Sequence, residues 1–286
     1  MADKNNTALK WQVFTSKRPG LSRDLPPGKE DLMWVANSST LIYGERDAIL
    51  VDTFLTIDQS RVLLDSVIAT GKNLTAIYLT HGHGDHVFGV GSLLEHFPHA
   101  KAFAIPEVVE AMRAQISPTA LEDFWRKLFP GQIPEHLPIA DRLPGNELNL
   151  EGYQLIPVNA GRTDTAQSTC LHVPSVGLLV GGDVVYNGIH PYLAETDTKS
   201  RLEWIATLAQ LEALNPHAVV AGHKIPENGD EPRIISETRQ YLRDFNRLDQ
   251  STSTVRELYD AMLELYPHRA NPGSLWSGAK AAKRGV

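Results

Sequence analysis

The chain has 286 residues, of which 42% are hydrophobic and 21% are charged, a composition typical of globular proteins and not of fibrous or low-complexity ones. Domains usually hold about 150 residues, so this length fits either one large α/β domain or two smaller units. The 27 Lys and Arg residues against 34 Asp and Glu give a formal charge of −7, which disfavours binding to the phosphate backbone of nucleic acids.

The sequence also limits the compartment and the kind of metal ligand that we expect. The first residues, Met1–Asn6, lack the apolar segment of a secretory signal, and no later stretch reaches the roughly 18 apolar residues of a membrane helix. We therefore expect a cytoplasmic protein with no membrane partner. Its single cysteine, Cys170, allows neither an internal disulfide nor a thiolate zinc cluster, so any metal must be held by histidines and carboxylates.

Short apolar runs alternate with segments of helical spacing along the chain. The runs predict strands at Leu32–Ala36, Ser39–Tyr43, Ala48–Val51, Leu74–Thr80, Tyr153–Val158, Thr169–Val173, Gly177–Gly181 and Ala218–Ala221. Helical spacing predicts helices from Ile57 to a stop at Gly71, and at Val87–Phe97, Leu121–Phe129, Arg201–Leu214, Ile234–Leu248, Thr254–Tyr266 and Ser274–Lys283. The order of these elements is that of an α/β protein.

No Pro- or Ser-rich linker divides the chain, so we expect a single domain over residues 1–286. Within it, residues 106–144 are punctuated by prolines and predict a helical insertion beside the sheet. Residues 231–286 predict a C-terminal helical extension that covers one face of a sheet.

The chemistry of the chain is concentrated in the segment Thr80-His81-Gly82-His83-Gly84-Asp85-His86. Burying three imidazoles and a carboxylate without partners is unfavourable, so this segment must be solvated, paired or metallated. His81 and His83 are two residues apart, so in an extended segment they project the same way and can chelate one ion, while Asp85 and His86 turn toward a second. The two glycines let the backbone bend around a metal. A polar surface loop is the alternative, which this spacing disfavours.

This segment resembles the His-x-His-x-Asp-His motif of the metallo-β-lactamase superfamily, which follows a strand. The resemblance extends over most of the chain, from the strands before Asp52 to the strand that ends at His223. It implies an α/β fold, namely a four-layer αββα sandwich of two similar halves with the metals at the edge between them. It also implies that Asp52 orients the metal-binding loop.

The same resemblance implies the metal ligands. Asp183, in Gly181-Gly182-Asp183, matches the bridging aspartate of the family, and His223, in Ala221-Gly222-His223, matches its last histidine. One or two zinc ions per chain are implied, with the ligands His81, His83, Asp85, His86, Asp183 and His223.

One stretch departs from the family pattern. Where the family has Gly-His-Thr, this chain has Ala160-Gly161-Arg162-Thr163-Asp164-Thr165, so we expect Arg162 to stand at the third ligand position of the first metal site. A guanidinium has no lone pair to donate and stays charged, so it cannot ligate zinc. The first site then keeps only His81 and His83, whereas the second site is intact. Natural divergence and an introduced His-to-Arg change both account for this residue.

Three residues are predicted to take part in catalysis. Asp85 orients the attacking hydroxide or accepts its proton, Arg162 holds an anionic or carbonyl oxygen, and Tyr186 donates to a developing oxyanion. Tyr186 is also predicted to line the substrate pocket together with His190 and Tyr192. Ordinary packing of a loop is the alternative for each of these three pocket residues.

Two classes of function follow from these residues. The first is a zinc-dependent hydrolase that attacks the carbonyl carbon of a lactone, lactam, ester or thioester through metal-bound hydroxide. The second is a metal-poor lyase, isomerase or ligand-binding protein that uses Arg162 as an anion anchor. Zinc content separates them, because one or two ions per chain support the first class and none supports the second. The expected partner is a small-molecule substrate, whose identity a fold-level resemblance does not specify.

Overall fold

The computed structural model describes residues 9–284, along which strands and helices alternate as expected for an α/β protein. The described strands are β1 Lys10–Pro19, β2 Trp34–Tyr43, β3 Asp47–Val51, β4 Asn73–Tyr78, β5 Lys101–Ala104, β6 Asp141–Arg142, β7 Leu148–Leu150, β8 Tyr153–Gly161, β9 Ser168–Val173, β10 Leu178–Asn187 and β11 Ala218–Lys224. The α-helices are α1 Ile57–Ala69, α2 Gly84–Val87, α3 Val90–His96, α4 Pro106–Gln115, α5 Arg126–Leu128, α6 Thr198–Ala213, α7 Arg233–Ser251, α8 Val255–Leu265 and α9 Pro272–Ala282. A π-helical segment covers Ala120–Trp125.

The residues group into two compact units. The first unit comprises the described chain up to Phe14, Ser39–Val158 and Leu171–Val180, and the second comprises Thr15–Ser38, Asn159–Cys170 and the chain from Gly181 onward. Each unit therefore combines stretches that are far apart in sequence. The assignment of residues 1–286 to a single domain stays a prediction.

The first unit is built on a mixed sheet in which strands follow the order β6-β5-β4-β3-β2. Strands β3, β4, β5 and β6 run parallel, and β2 is antiparallel to β3 with Thr40 opposite Val51. Both faces of β3 and β4 are covered, which is why these strands read as continuous apolar runs. Because the carboxyl ends of parallel strands meet at one edge, the residues that follow β3 and β4, Asp52 and Thr80, are brought together.

The second unit places β11 against the first half of β2, with His223 opposite Asn37. In the same unit α6 packs against α7, α7 against α8, and α8 against α9, and α7 has a strongly amphipathic sequence. Its buried face comprises Ile234, Ile235, Thr238, Tyr241, Leu242, Phe245 and Asn246. Among residues 9–284, no helix combines the length and the apolar character that crossing a bilayer demands.

The two short strands predicted at Leu32–Ala36 and Ser39–Tyr43 are one strand, β2. The polar residues between them, Asn37 and Ser38, suggested a turn, but their side chains are buried. The Ser38 hydroxyl donates to the Ala221 carbonyl, and the Ser39 hydroxyl donates to the Asp52 carbonyl at 2.8 Å. Sequence patterning misses such residues because it assigns polar side chains to turns.

The helix predicted over Val87–Phe97 is also different, since it is divided into α2 and α3 at Phe88 and Gly89. A Cβ atom at Gly89 would lie 2.9 Å from the Ser60 hydroxyl oxygen and 3.1 Å from the Thr53 Cβ. Glycine is therefore required at this point by the close approach of the chain that follows β3.

Glu151 holds a turn at the end of β2 from a distant part of the first unit. Its carboxylate accepts hydrogen bonds from the backbone N–H groups of Glu45, Arg46 and Asp47 at 2.8, 2.7 and 2.8 Å. These backbone donors lower the pKa of Glu151 from 4.5 to about 2. The carboxylate thus stabilises the connection between β2 and β3.

We expect Glu151→Gln to lower the melting temperature at pH 7 by about 2–4 °C, because the charged hydrogen bonds to the backbone are lost. This corresponds to about 1 kcal/mol for a chain of this size, and the effect stays small because Glu151 is exposed and solvent weakens these hydrogen bonds. Since the folded pKa of about 2 lies below the ordinary value of 4.5, the stabilisation is complete above pH 4.5 and is lost as the pH falls toward 2. The melting temperatures of the two proteins should therefore converge between pH 7 and pH 3. Glu264→Gln, at an exposed position of α8, is the control, and a pH-independent difference for Glu151→Gln would contradict the assignment.

Candidate metal centre

The histidine-rich loop after β4 is tightly packed inside the first unit. A Cβ atom at Gly82 would lie 2.5 Å from the Ala111 Cβ, and one at Gly84 would lie 2.8 Å from the rings of Phe88 and Trp125. Neither glycine has a positive φ angle, so a left-handed backbone conformation is not what requires glycine at these positions. The two glycines are needed because any side chain would collide with α4 and with these aromatic rings.

This packing buries the functional groups of the loop. His81 and His86 have no exposed surface and Asp85 is 6% exposed, whereas His83 is partly exposed. The rings of His81 and His83 lie 5.0 Å apart, and those of His81 and His86 lie 4.3 Å apart. The surface-loop alternative therefore does not describe this segment, since most of its imidazole surface is inside the protein.

Asp52, which follows β3, orients the start of the loop. The Thr80 N–H donates to Asp52 Oδ1 at 2.8 Å, and the Thr80 hydroxyl donates to Asp52 Oδ2 at 2.7 Å. The Thr80 oxygen lies 3.0 Å from His81 Nδ1. Because the hydroxyl proton is used on Asp52, His81 Nδ1 must be the donor to Thr80, which leaves the lone pair of the neutral ring on Nε2.

The same carboxylate orients His86. His86 Nδ1 lies 3.2 Å from Asp52 Oδ2, and a carboxylate oxygen can only accept, so the lone pair of neutral His86 is also on Nε2. Thr53 fixes the backbone here, because its N–H and its hydroxyl both donate to the His86 carbonyl, at 2.7 and 2.8 Å. Ligand atoms of Asp52, His81 and His86 lie within 4.8 Å of one another.

In the second unit, Asp183 of β10 and His223 of β11 form a second buried pair. Asp183 is 2% exposed and His223 is 6% exposed, and His223 Nε2 lies 3.1 Å from Asp183 Oδ2. The Tyr186 hydroxyl donates to the same Asp183 oxygen at 2.9 Å, and the Tyr186 ring stacks on the His223 ring with centroids 5.7 Å apart. Tyr186 thus holds both residues in place.

The backbone of β2 fixes the ring of His223 as well. His223 Nδ1 lies 3.1 Å from the Ala36 carbonyl oxygen, so this nitrogen carries a proton and donates it. In a neutral ring, Nε2 would then point a lone pair at the Asp183 carboxylate, which is repulsive. A cation held between the imidazole nitrogen and the carboxylate oxygen removes this repulsion.

Asp164 is a further buried carboxylate of the second unit, and the sequence analysis did not select it. It has no exposed surface, and its Oδ1 accepts from the hydroxyls of Thr163 at 2.8 Å and Ser168 at 3.4 Å. One oxygen of Asp164 and one of Asp183 lie within 4.8 Å of each other. The second unit therefore places the two carboxylates of Asp164 and Asp183 close together in a buried region.

Arg162, two residues earlier, is exposed. Its guanidinium donates to the Glu195 carbonyl at 3.0 Å, and its positive charge contributes to lowering the pKa of Asp197, after the larger effect of hydrogen bonds from Ser200. In the family pattern a threonine follows the ligand histidine, and both Arg162-Thr163 and Asp164-Thr165 satisfy that pattern. Burial distinguishes the two alignments and favours Asp164, a signal that sequence alone does not carry.

The three predicted pocket residues lie at different depths. Tyr186 is 1% exposed, and burial, followed by the charges of Asp183 and Asp164, raises its pKa well above the ordinary value. His190 is fully buried, with Nδ1 2.9 Å from the Tyr241 hydroxyl, and burial lowers its pKa well below the ordinary value. Tyr192 is partly exposed, and its backbone N–H donates to the Tyr186 hydroxyl. The assignment of these residues to a pocket stays a prediction.

Comparison with known proteins agrees with the motif. The family model described as the Metallo-beta-lactamase superfamily matches residues 32–223, which is more than half of the chain. Two curated relatives match shorter segments: a hydroxyacylglutathione hydrolase from Aeromonas salmonicida is 43% identical over 63 residues, or 22% of this chain, and an atrochrysone carboxyl ACP thioesterase from Pseudocercospora fijiensis is 38% identical over 66 residues, also 22% of this chain. These matches span only 23% and 20% of the length of the two relatives.

Solved structures extend the likeness to almost the entire fold. A metallo-beta-lactamase family protein from Thermus thermophilus superposes with a TM-score of 0.64 and 22% identity, and the superposition covers 94% of this chain and 91% of that one. The predicted α/β fold of the metallo-β-lactamase type is therefore confirmed. Together with the family match over residues 32–223, this shows that the chain belongs to the metallo-beta-lactamase superfamily.

Proposed function

We propose that the protein is a zinc-dependent hydrolase that cleaves an ester or thioester at its carbonyl carbon. The observation that carries this proposal is the orientation of His81 and His86, whose Nδ1 atoms are held by Thr80 and Asp52 and whose Nε2 lone pairs are thereby set for a metal ion. Relatives named as a hydroxyacylglutathione hydrolase and a thioesterase support the substrate class. The lactone and lactam substrates that the motif also allows have no such support.

The residues present fit a zinc ion. Zinc accepts imidazole nitrogen and carboxylate oxygen, and both kinds of donor are buried here, while the one cysteine is buried on β9 and serves packing. The residues that we propose to hold one or two ions are His81, His83, Asp85, His86, Asp164, Asp183 and His223. When bound, zinc supplies a Lewis acid that polarises a carbonyl oxygen and makes water a better nucleophile at neutral pH.

The remaining roles fall to groups that hold or move protons. Asp85 is a buried carboxylate at the start of α2, and we propose that it orients the attacking water and accepts its proton. The hydroxyl of Tyr186 is engaged with Asp183, and its raised pKa keeps it protonated. We therefore propose that Tyr186 positions Asp183, and not that it donates to an oxyanion.

We propose that Asp164 takes the ligand position for which the sequence suggested Arg162. A carboxylate can ligate a cation, and the hydroxyls of Thr163 and Ser168 orient this one. The alternative function, a metal-poor protein with Arg162 as an anion anchor, needs the guanidinium inside the site. It stays a prediction, and the contact of Arg162 with the Glu195 carbonyl at the surface does not favour it.

The proposed activity predicts that hydrolysis of a glutathione thioester disappears when zinc is removed. The measurement is release of thiol from an acylglutathione before and after dialysis against a chelator, with zinc then restored to the treated protein. Because a bound cation is needed to activate water, we expect at least a 100-fold loss and recovery on adding zinc. Turnover that survives complete removal of metal would contradict the hydrolase proposal.

A second prediction separates Asp164 from Arg162. We expect Asp164→Ala to lower the zinc content of the purified protein by about one ion per chain, because it removes a carboxylate donor. Arg162→Ala and Arg162→His should leave the zinc content unchanged, because Arg162 is exposed. Elemental analysis of the three variants gives the result, and a gain of zinc in Arg162→His would instead place position 162 at the metal.

A third prediction concerns the hydroxyl that connects Asp52 with His81. We expect Thr80→Val to weaken zinc binding about 10-fold, because His81 Nδ1 loses the acceptor that fixes its ring and tautomer. Thr75→Val on the preceding strand, β4, is the matched control, since the Thr75 hydroxyl donates to the Ala48 carbonyl away from the histidines. Competition with a chromophoric chelator measures both affinities, and equal affinities in the two variants would argue against the relay.

A further inference from the structure

The second unit contains a cavity of about 410 Å³ that the proposed metal chemistry does not use. It lies between the ends of β10 and β11, the start of α7 and the loop that follows α8. We name it the arginine cavity, and its walls include Ile225, Arg233, Glu237, Leu265, Pro267 and Arg269. Its size is that of a site for a small organic molecule, and its lining combines apolar side chains with a few charged ones.

Arg269 is the most unusual residue of this lining. Its guanidinium lies 5.1 Å from the ring centre of Tyr241 and 5.2 Å from that of Tyr266, so it is bracketed by two aromatic rings. One N–H donates to the Ile189 carbonyl at 2.8 Å. Burial lowers the pKa of Arg269 from its ordinary value, although a guanidinium remains charged at any physiological pH.

The contrast with Arg201, a second buried arginine of the same unit, shows what Arg269 lacks. The Arg201 guanidinium donates to Asn246 Oδ1 at 2.5 Å and to Thr196 Oγ1 at 3.1 Å, and it forms an ion pair with Asp249 at 3.1 Å. Within residues 9–284 the Arg269 guanidinium forms no ion pair with a carboxylate and makes one hydrogen bond, although a guanidinium has five N–H donors. Arg201 is therefore a neutralised structural residue, whereas Arg269 keeps its charge and most of its donors for the cavity.

The other charges of the cavity leave this positive charge uncompensated. Glu237 acts on Arg269, although less than Tyr241 and Tyr266 do, and its carboxylate is ion-paired with Arg233, one turn away on α7, so the charges of Arg233 and Glu237 roughly cancel. His268, on the rim, is exposed and adds no negative charge. The cavity therefore presents one net positive charge beside an apolar wall.

We propose that the arginine cavity binds the carboxylate of a small organic anion through Arg269, with the apolar part of that molecule against Ile225, Leu265 and Pro267. A carboxylate matches the fork of a guanidinium with two parallel hydrogen bonds.

The position of the cavity suggests what this anion is, an inference that rests on the proposed hydrolase function. Asn187 of the cavity lies four residues after Asp183 on β10, and Ile225 lies two residues after His223. At about 3.3 Å per residue along a strand, these Cα separations are about 13 and 7 Å, and the even spacing places Asn187 and Asp183 on one face of β10. We therefore propose that the anion is a carboxylate at the end of the substrate that is remote from the cleaved carbonyl.

Binding of hexanoate, compared with neutral hexanamide, tests the cavity without turnover. We expect calorimetry on the purified protein to show that hexanoate binds at least 10-fold more tightly than hexanamide, and that Arg269→Met removes this preference. Arg247→Met is the control, because Arg247 lies on the exposed side of α7 and pairs with Asp244. Hexanoate binding that is unchanged in Arg269→Met, or that is lost only when zinc is removed, would overturn the proposal.

A second variant covers the case in which Arg269→Met does not fold, since Arg269 also contacts Ile189. His268→Glu changes an exposed residue on the rim of the cavity and adds a negative charge near Arg269, so we expect hexanoate binding to weaken about 10-fold while hexanamide binding is unchanged. His268→Gln adds no negative charge and should retain binding. Equal hexanoate affinity in the Glu and Gln variants would contradict the proposal.

Kinetics then connect the cavity with the reaction. For two acyl thioesters that differ only in a terminal carboxylate or its methyl ester, Arg269→Met should raise KM about 10-fold for the carboxylate and leave kcat and the methyl ester unaffected. If neither thioester is hydrolysed, the function proposal fails, while the hexanoate measurements still decide whether the cavity binds a carboxylate. If both are hydrolysed and Arg269→Met changes neither KM, the cavity does not hold the substrate.

Discussion

The carboxylate of Asp52 is the group on which the arrangement of the histidine loop depends. It is 2% exposed and stands directly after β3, in a left-handed conformation with φ of 58°, which costs less for Asp than for most residues. From there it accepts from the Thr80 N–H, the Thr80 hydroxyl and His86 Nδ1. One buried anion thereby sets the end of β4, the tautomer of His86 and, through Thr80, the tautomer of His81.

This organisation explains why the motif was readable from the sequence and several of its supports were not. The spacing of His81, His83, Asp85 and His86 is local, so it survives as a pattern in one stretch of chain. The relay through Thr80 and the collisions that exclude side chains at Gly82 and Gly84 depend on residues brought close by the parallel pairing of β3 and β4 and by α4. Tertiary proximity of this kind leaves no periodic signal in the sequence.

The stretch around Arg162 shows a different limit. The family pattern can be aligned through Arg162-Thr163 or through Asp164-Thr165, and the letters alone favour the first because Gly161 also matches. The two alignments differ in burial and in the hydrogen bonds of the carboxylate to Thr163 and Ser168, which are properties of the folded second unit. Likewise, the sequence divided β2 in two at Asn37 and Ser38, because the hydroxyl of Ser38 gave no sign that the Ala221 carbonyl would accept its proton.

The second unit offers more carboxylates than histidines as possible metal ligands. This difference affects the chemistry that a bound cation can perform. Asp164 and Asp183 place two carboxylates within 4.8 Å of each other, and both charges raise the pKa of the adjacent Tyr186 after the larger effect of burial. An aspartate ligand offsets more of an ion's charge than a neutral imidazole does, so it holds the ion more firmly by electrostatics and leaves it a weaker Lewis acid. An activated carbonyl such as a thioester needs less polarisation than an amide. The carboxylate-rich donor set and the thioester substrate proposed for this chain are therefore consistent with each other on chemical grounds.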